Sequence, residues 1–376
     1  MCSFISDTLR GMDLPFPALW LRDNCPCPAC RDPRSGQKLH TVADLDGEVS
    51  VAASAESGGT VSVHFSDGHV ARFERAWLDR HRDVDAAGDG RTETGKDLWD
   101  RVAPPEAGWA GFRADPGPAL DALWRTGFVL LRDTPVAPGT VLAVARTFGH
   151  VRTTNYGELF DVRIERQPGN LAFTSRAIAP HTDNPYRDPV PTLQLLHCLR
   201  AAADGGGESG LVDGFRAAVL LRDRHPEHFA VLSRTPATFA WGRLSAQRPM
   251  IGVDEIGRIR EIRYNNRSLQ PLAGPREGLE AFYAAYRAFD ALLNRAGAMV
   301  TFGLGPGDCV IFDNTRVLHA RTAFDPRAAA DRHLQGCYAD LDAVQWLVAR
   351  PQAVGATRAT AVRSGGVPSL EADFPG

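Results

Sequence analysis

Much is missing from this 376-residue chain, and each absence removes a class of function. No run approaches the ~20 apolar residues needed to span a bilayer, so no transmembrane helix is expected. The stretch from Met1 to Arg22 is broken by Asp7, Asp13, Pro15 and Pro17 and lacks the apolar core of a secretory leader. Positive charge is not in excess. Lys and Arg number 42 against 45 Asp and Glu, for a net charge of −3, which leaves no basic field for nucleic acid or an anionic membrane surface. No internal repeat is present. The cysteines are odd in number, seven, and without a leader they argue against a disulfide framework. The expectation is a cytoplasmic enzyme that binds neither nucleic acid nor membrane.

What is present is an ordinary globular mix, 44% hydrophobic and 23% charged, in a chain long enough for one large domain and one small one. Residues 14–80 read as short β segments. Ala18-Leu19-Trp20-Leu21 leads into a cysteine cluster, Val61–Phe65 alternates at period two, Ser66-Asp67-Gly68 forms a turn, and His69–Phe73 returns as a second strand. The polar stretch Asp83–Lys96 is the expected linker, giving domains at 1–90 and 97–376.

In the larger part, Ala119–Arg125 reads as a helix stopped by Gly127, Phe128–Leu131 as a strand, and Val141–Phe148 as a helix. From Leu171 onward β segments dominate: Leu193–Leu196, Ile259–Tyr264, Met299–Leu304, Cys309–Phe312 and Leu334–Ala339. One long amphipathic helix, Arg276 to Arg295, interrupts them. Its stripe of Leu279, Phe282, Tyr283, Tyr286, Phe289 and Leu293 is read as core packing against a sheet. The fold class is α+β, mainly β: a jelly-roll (double-stranded β-helix) core with flanking helices, and a small N-terminal β domain.

The sharpest chemical signal is Pro180-His181-Thr182-Asp183. At i and i+2 on a strand, two side chains project to one face, so His181 and Asp183 reach one metal. Imidazole plus carboxylate suits Fe(II), and a second histidine completes a facial triad with open positions for chemistry. His-x-Asp alone recurs by chance. Its companions decide: His319 follows the strand Cys309–Phe312, and Arg332 comes thirteen residues later. A lone arginine opening a strand at a barrel mouth offers a planar fork for a carboxylate. A dicarboxylate co-substrate chelating iron through its keto-acid end needs such an anchor at its far end.

These residues sit among motifs that resemble the γ-butyrobetaine and trimethyllysine hydroxylase branch of the TauD-like iron(II)/2-oxoglutarate oxygenases. The carriers are Leu19–Cys25, Asn170–Phe173, His181-Thr182-Asp183, Gln194–Cys198, Val212–Phe215, Tyr264-Asn265-Asn266 and Phe312–Arg321, over nearly the whole chain. The resemblance implies a double-stranded β-helix, a homodimer, and use of Fe(II), 2-oxoglutarate and O2 to hydroxylate an unactivated carbon with release of succinate and CO2.

Cys25, Cys27 and Cys30 place three thiolates within reach of one ion. A structural Cys3His zinc site needs one histidine more, and His40, His64, His69 and His81 are candidates. In the resembling family the zinc histidine lies just after the turn, which selects His69, with His81 second. Four ligands leave no open position, so this zinc would serve stability.

The resemblance also implies a quaternary-ammonium substrate held over aromatic faces, since a methylated ammonium has no N–H to donate. The matching positions are Tyr156, Phe160, Phe173 and Tyr338. Asn184, Tyr186, Asn265 and Asn266 offer donors for the opposite, anionic end, and Asn170 serves substrate or co-substrate. Arg267 and Arg187 are additional cations, which favours a highly charged head. That feature resembles the hydroxylases of 2-(trimethylammonio)ethylphosphonate. Two other readings stand beside this one: an oxygenase of the same barrel acting on a sulfonate or aryloxyacetate, and a non-catalytic zinc-binding interaction module.

Overall fold

The structure, a computed structural model, describes residues 14–82, 95–164, 174–202, 206–325 and 332–348. The proposed linker thus falls almost wholly outside the described residues.

The N-terminal part carries a three-stranded antiparallel sheet of Val51–Ser57, Thr60–Phe65 and Val70–Glu74. Its inward residues Val61, Val63, Ala71 and Phe73 bury against Leu21 and Leu78. The last two come from helices, Ala18–Asp23 and Arg75–Arg82, where β segments were expected. Ala, Leu and Arg favour helix locally, and the bulky Leu-Trp-Leu run is a short helical face, not an alternating strand.

The larger part is built on two sheets. The major one runs in the order Glu106–Gly108, Phe128–Arg132, Cys309–Asp313, Leu193–Arg200, His333–Ala339 and Val151–Arg152, with Phe160–Val162 also paired to His333–Ala339. All pairs are antiparallel except the first. The minor sheet has the order Met299–Phe302, Ser209–Asp213, Val317–Arg321, Ile178–His181. The two inner faces meet through Phe128, Leu130, Val310 and Phe312 on one side and Leu211, Phe302 and Val317 on the other. This is a jelly roll, mainly β, with helices outside.

The strands Phe128–Arg132, Leu193–Arg200, Cys309–Asp313 and His333–Ala339 are buried on both faces, so their sequences read as largely apolar runs. The alternate residues Val129, Leu131, Leu195 and Ile311 pack under Leu120, Leu123, Val141 and Val144 of the helices Gly117–Thr126 and Thr140–Arg146. Outside the minor sheet, Val212 and Leu318 join a second helical layer through Phe215, Phe282 and Phe289.

That layer holds more than the single long helix expected there. Arg276–Leu293 is present, and so are Gly214–Arg224 and Pro226–Arg234. The first of these extra helices buries Phe215, Ala217, Ala218, Val219, Leu220 and Leu221 in succession. A helix apolar on nearly every side shows no amphipathic period, which is why the pattern hides it. Asp213 starts it by accepting from Phe215 N and Arg216 N. The same carboxylate pairs with the fully buried Arg316 guanidinium, 2.8 Å away. Among the described residues no helix is long and apolar enough to cross a membrane.

Candidate active site

The inner faces of the two sheets diverge at one end around a cavity of about 350 Å³. Phe160, Val162, Gln194, Leu196, Leu334 and Tyr338 reach it from the major sheet, and Ile178, His181, Ser209 and His319 from the minor one. His181 ends its strand and pairs directly with His319 on the neighbour, which brings the ring centroids to 4.0 Å.

Asp183 does not share the strand with His181, as the i, i+2 reading expected. The strand stops at His181, and the chain bends inward. Side chains that bond its backbone fix the bend. Asn314 accepts from Asp183 N at 2.7 Å and donates to Asp183 O and Pro191 O. Thr182 exchanges bonds with Tyr264, and Asn265 Nδ2 donates to Thr182 O. The carboxylate therefore still meets both imidazoles, 3.4 Å from His181 Nε2 and 3.7 Å from His319 Nε2.

His181 donates from Nδ1 to the Ala179 carbonyl at 2.9 Å, which turns Nε2 toward the carboxylate. Burial pushes His319 down to about 3, helped by the neighbouring His181, so its imidazole is neutral near pH 7. Burial opposes charge on Asp183, yet His319 and His181 hold it below the usual carboxylate range. Two imidazoles and one carboxylate, with ligand atoms all within 4.8 Å of one another, fit a single Fe(II) with one face left open. Tyr338 donates to Asp183 Oδ2 at 3.0 Å, which orients the carboxylate.

Arg332 lies in the same cavity, immediately before the strand His333–Ala339 and buried. Its Nη2 donates to Gly207 O, and its guanidinium stands 5.4 Å over the Phe324 ring.

Of the aromatic positions, Tyr156, Phe160 and Tyr338 line the cavity. Phe160 stacks on Tyr338 at 5.2 Å, and Tyr156 is 6.3 Å from Phe160. Gly336 makes room for this row, since a Cβ there would fall 2.3 Å from Phe160 Cζ. Phe173 and Asn170 lie outside the described residues. Asn184, Tyr186, Asn265 and Arg267 line the cavity. Tyr186 donates to Asn184 Oδ1 at 2.7 Å. The Asn265 amide is committed to structure, holding Thr182 O and accepting from Arg267 N. That turn throws Asn266 outward, where it is exposed and not part of the cavity. Arg187 also points elsewhere, donating to Asn155 at the surface.

The cavity further contains Gln194, Trp241, Ser268 and Arg321, which sequence reasoning did not single out as site residues. Gln194 alternates with Leu193 and Leu195 on one strand, and that period was its one available signal. Trp241 ends a strand of the hairpin Ala237–Trp241/Leu244–Arg248, which no local pattern tied to the site.

In the N-terminal part, His69 Nε2 lies 3.1, 3.7 and 3.6 Å from the Sγ atoms of Cys25, Cys27 and Cys30. A tetrahedral zinc with Zn–S ~2.3 Å and Zn–N ~2.0 Å separates such ligands by about 3.5 Å, so the four residues fit that ion. His81 is turned to the Trp77 carbonyl instead, and His40 to Asp23.

The pattern of Taurine catabolism dioxygenase TauD, TfdA family, matches residues 109–338, more than half of the chain. The chain belongs to the TauD/TfdA dioxygenase family. The pattern of Gamma-butyrobetaine hydroxylase-like, N-terminal, matches residues 10–79. This dioxygenase is 36% identical to the Gamma-butyrobetaine dioxygenase of Pseudomonas sp. (strain AK-1), over 88% of its own length and 89% of the relative's. It is 27% identical to a Trimethyllysine dioxygenase of Meyerozyma guilliermondii, with 88% and 89% covered. Among solved structures, an asparagine oxygenase superposes at a TM-score of 0.45, with 24% identity over 62% of this chain and 77% of that one.

Proposed function

We propose that this dioxygenase uses Fe(II) and 2-oxoglutarate to hydroxylate an unactivated C–H bond of a small trimethylammonium zwitterion. The carrying observation is one cavity that joins the His181–Asp183–His319 cluster, the buried Arg332 and the aromatic row Tyr156–Phe160–Tyr338. Relatives named for γ-butyrobetaine and trimethyllysine point to the same substrate class.

When bound, iron with the oxo acid and O2 supplies the oxidation: one oxygen atom enters the substrate C–H, and the oxo acid leaves as succinate and CO2. His181, Asp183 and His319 would hold the ion. Arg332 would receive the far carboxylate of 2-oxoglutarate as a planar fork. The aromatic faces would take the quaternary ammonium, which sheds water readily and donates no hydrogen bond. Arg267 and Asn184 would receive the anionic end. The apolar walls Val162, Ile178, Leu196 and Leu334 exclude water from the reacting carbon. In the N-terminal part, Cys25, Cys27, Cys30 and His69 would hold a structural zinc.

γ-Butyrobetaine and 2-(trimethylammonio)ethylphosphonate are the two leading substrates. The phosphonate is a candidate because a dianion gains more from a guanidinium than a carboxylate does. The reading also carries a cytoplasmic homodimer, which sedimentation and cell fractionation test. Succinate release is the assay for function, with both betaines and taurine as the sulfonate control. Turnover of a betaine and not of taurine is expected. Turnover of taurine alone, or of none of the three, overturns the proposal.

A further inference from the structure

Charge is distributed unevenly around the cavity, and the imbalance bears on the substrate's far end. Among the described lining residues Asp183 is the single carboxylate, and its oxygens face His181, His319 and Tyr338. Three guanidiniums share the cavity: Arg267, Arg321 and Arg332. Arg321 and Arg332 belong together, both over the Phe324 ring, at 5.0 and 5.4 Å. Arg267 comes from a different element, the loop after the strand Ile259–Ile262.

The Arg267 loop is held firmly. Asn265 Oδ1 accepts from Arg267 N at 3.1 Å, and Ser268 N and Leu269 N donate to the Asn265 carbonyl. The guanidinium itself has no hydrogen bond or ion pair to any described residue, although it is partly buried. In the same cavity, the buried Asn184 Nδ2 makes no hydrogen bond of good geometry to a described residue. An iron ion would add two positive charges, and a 2-oxoglutarate dianion would remove only as many. The guanidiniums therefore remain in excess over the one carboxylate, and a buried cation without a counter-charge is costly until an anion arrives.

We infer that Arg267 makes this dioxygenase select betaines whose far end is a pure anion, and reject those that carry an ammonium group there. The inference rests on the betaine reading above and divides the substrates named by its relatives. γ-Butyrobetaine ends in a carboxylate alone. Trimethyllysine ends in a carboxylate and an α-ammonium, which needs an acceptor of its own. Around Arg267 the described cavity offers no second carboxylate to receive it, and the like charge of the guanidinium repels it. Like-charge juxtaposition of this kind is expected to lower kcat/KM about 100-fold.

The test compares γ-butyrobetaine with Nε-trimethyllysine on the iron-loaded enzyme, by kcat/KM and by anaerobic calorimetric binding in the presence of 2-oxoglutarate. Wild type should prefer butyrobetaine by about 100-fold. Arg267→Glu should cut that preference at least tenfold, and Arg267→Met should weaken butyrobetaine binding and leave the iron content unchanged. Equal use of both compounds by wild type overturns the inference and leaves the betaine reading intact. A preference unaltered in both variants overturns the role of Arg267. If wild type binds neither compound but takes 2-(trimethylammonio)ethylphosphonate, the preference for butyrobetaine is overturned and the betaine reading stands; if it binds none of the three, the betaine reading fails and the inference fails with it.

Discussion

One residue outside the cluster shows how the site is held. Asn314 touches no substrate position, yet its amide clamps the backbone on both sides of Asp183. Partners that orient a metal ligand commonly contribute 10–100-fold in affinity. Asn314→Ala should therefore weaken iron binding by about that factor with little loss of folded protein, measured by anaerobic metal titration and circular dichroism. His197 bears on the fold and not on the site. It is fully buried, and neither ring nitrogen has a partner; burial holds its pKa below 6.5. Protonation is then easier in the unfolded chain. Its contribution to stability is present above pH ~6.5 and is lost as pH falls from there toward the lowered native value. Urea midpoints should drop between pH 7.5 and 5.5, and His197→Met should flatten that drop. At this scale the sequence was legible for chemistry and not for orientation. His181, Asp183, His319 and Arg332 share one cavity, as their residue types suggested. That Asn265 is spent on a turn and Asn266 faces solvent depends on hydrogen bonds across 83 residues, which no local pattern contains.

Among the elements, the joint between the minor sheet and the helical layer depends on one buried ion pair. Arg316 donates to both oxygens of Asp213 and to the carbonyls of Arg125 and Asp97. Asp213 in turn caps the helix Gly214–Arg224 and accepts from Trp99 N. Replacing Arg316 by Met would leave a buried carboxylate without its counter-charge, a loss that typically costs about 3–5 kcal/mol. The expected outcome is a fall of that size in unfolding free energy by urea titration; a change under about 1 kcal/mol would contradict it. The helix capped by Asp213 was invisible to periodicity because it is buried nearly all round, whereas Arg276–Leu293 declared itself by a clean apolar stripe. Four strands of the major sheet could be placed by their apolar runs, whereas Glu106–Gly108, Val151–Arg152 and Phe160–Val162 are too short and too polar to show one; the order could not be read at all, since neighbours such as Leu193–Arg200 and Cys309–Asp313 are far apart in sequence.

For the whole molecule, two metal centres are expected to do separate work in two parts of the chain. The Cys25–Cys27–Cys30–His69 cluster fixes the turn of a small sheet whose core is slight, so its zinc should supply much of that part's folding free energy. Elemental analysis should find one zinc per chain. Its removal by a strong chelator, or the Cys30→Ser substitution, should lower the melting temperature of the N-terminal part and leave the jelly roll folded; unchanged melting would contradict a structural zinc. Iron, by contrast, should bind reversibly and be needed for turnover. The central claim is that His181, Asp183 and His319 jointly hold that iron. It is tested most directly by titrating Fe(II) anaerobically into the zinc-loaded chain and into Asp183→Ala and His319→Ala. The account predicts one iron per wild-type chain and none at the same concentration in either variant, with the fold intact. Variants that bind iron as wild type does would contradict it.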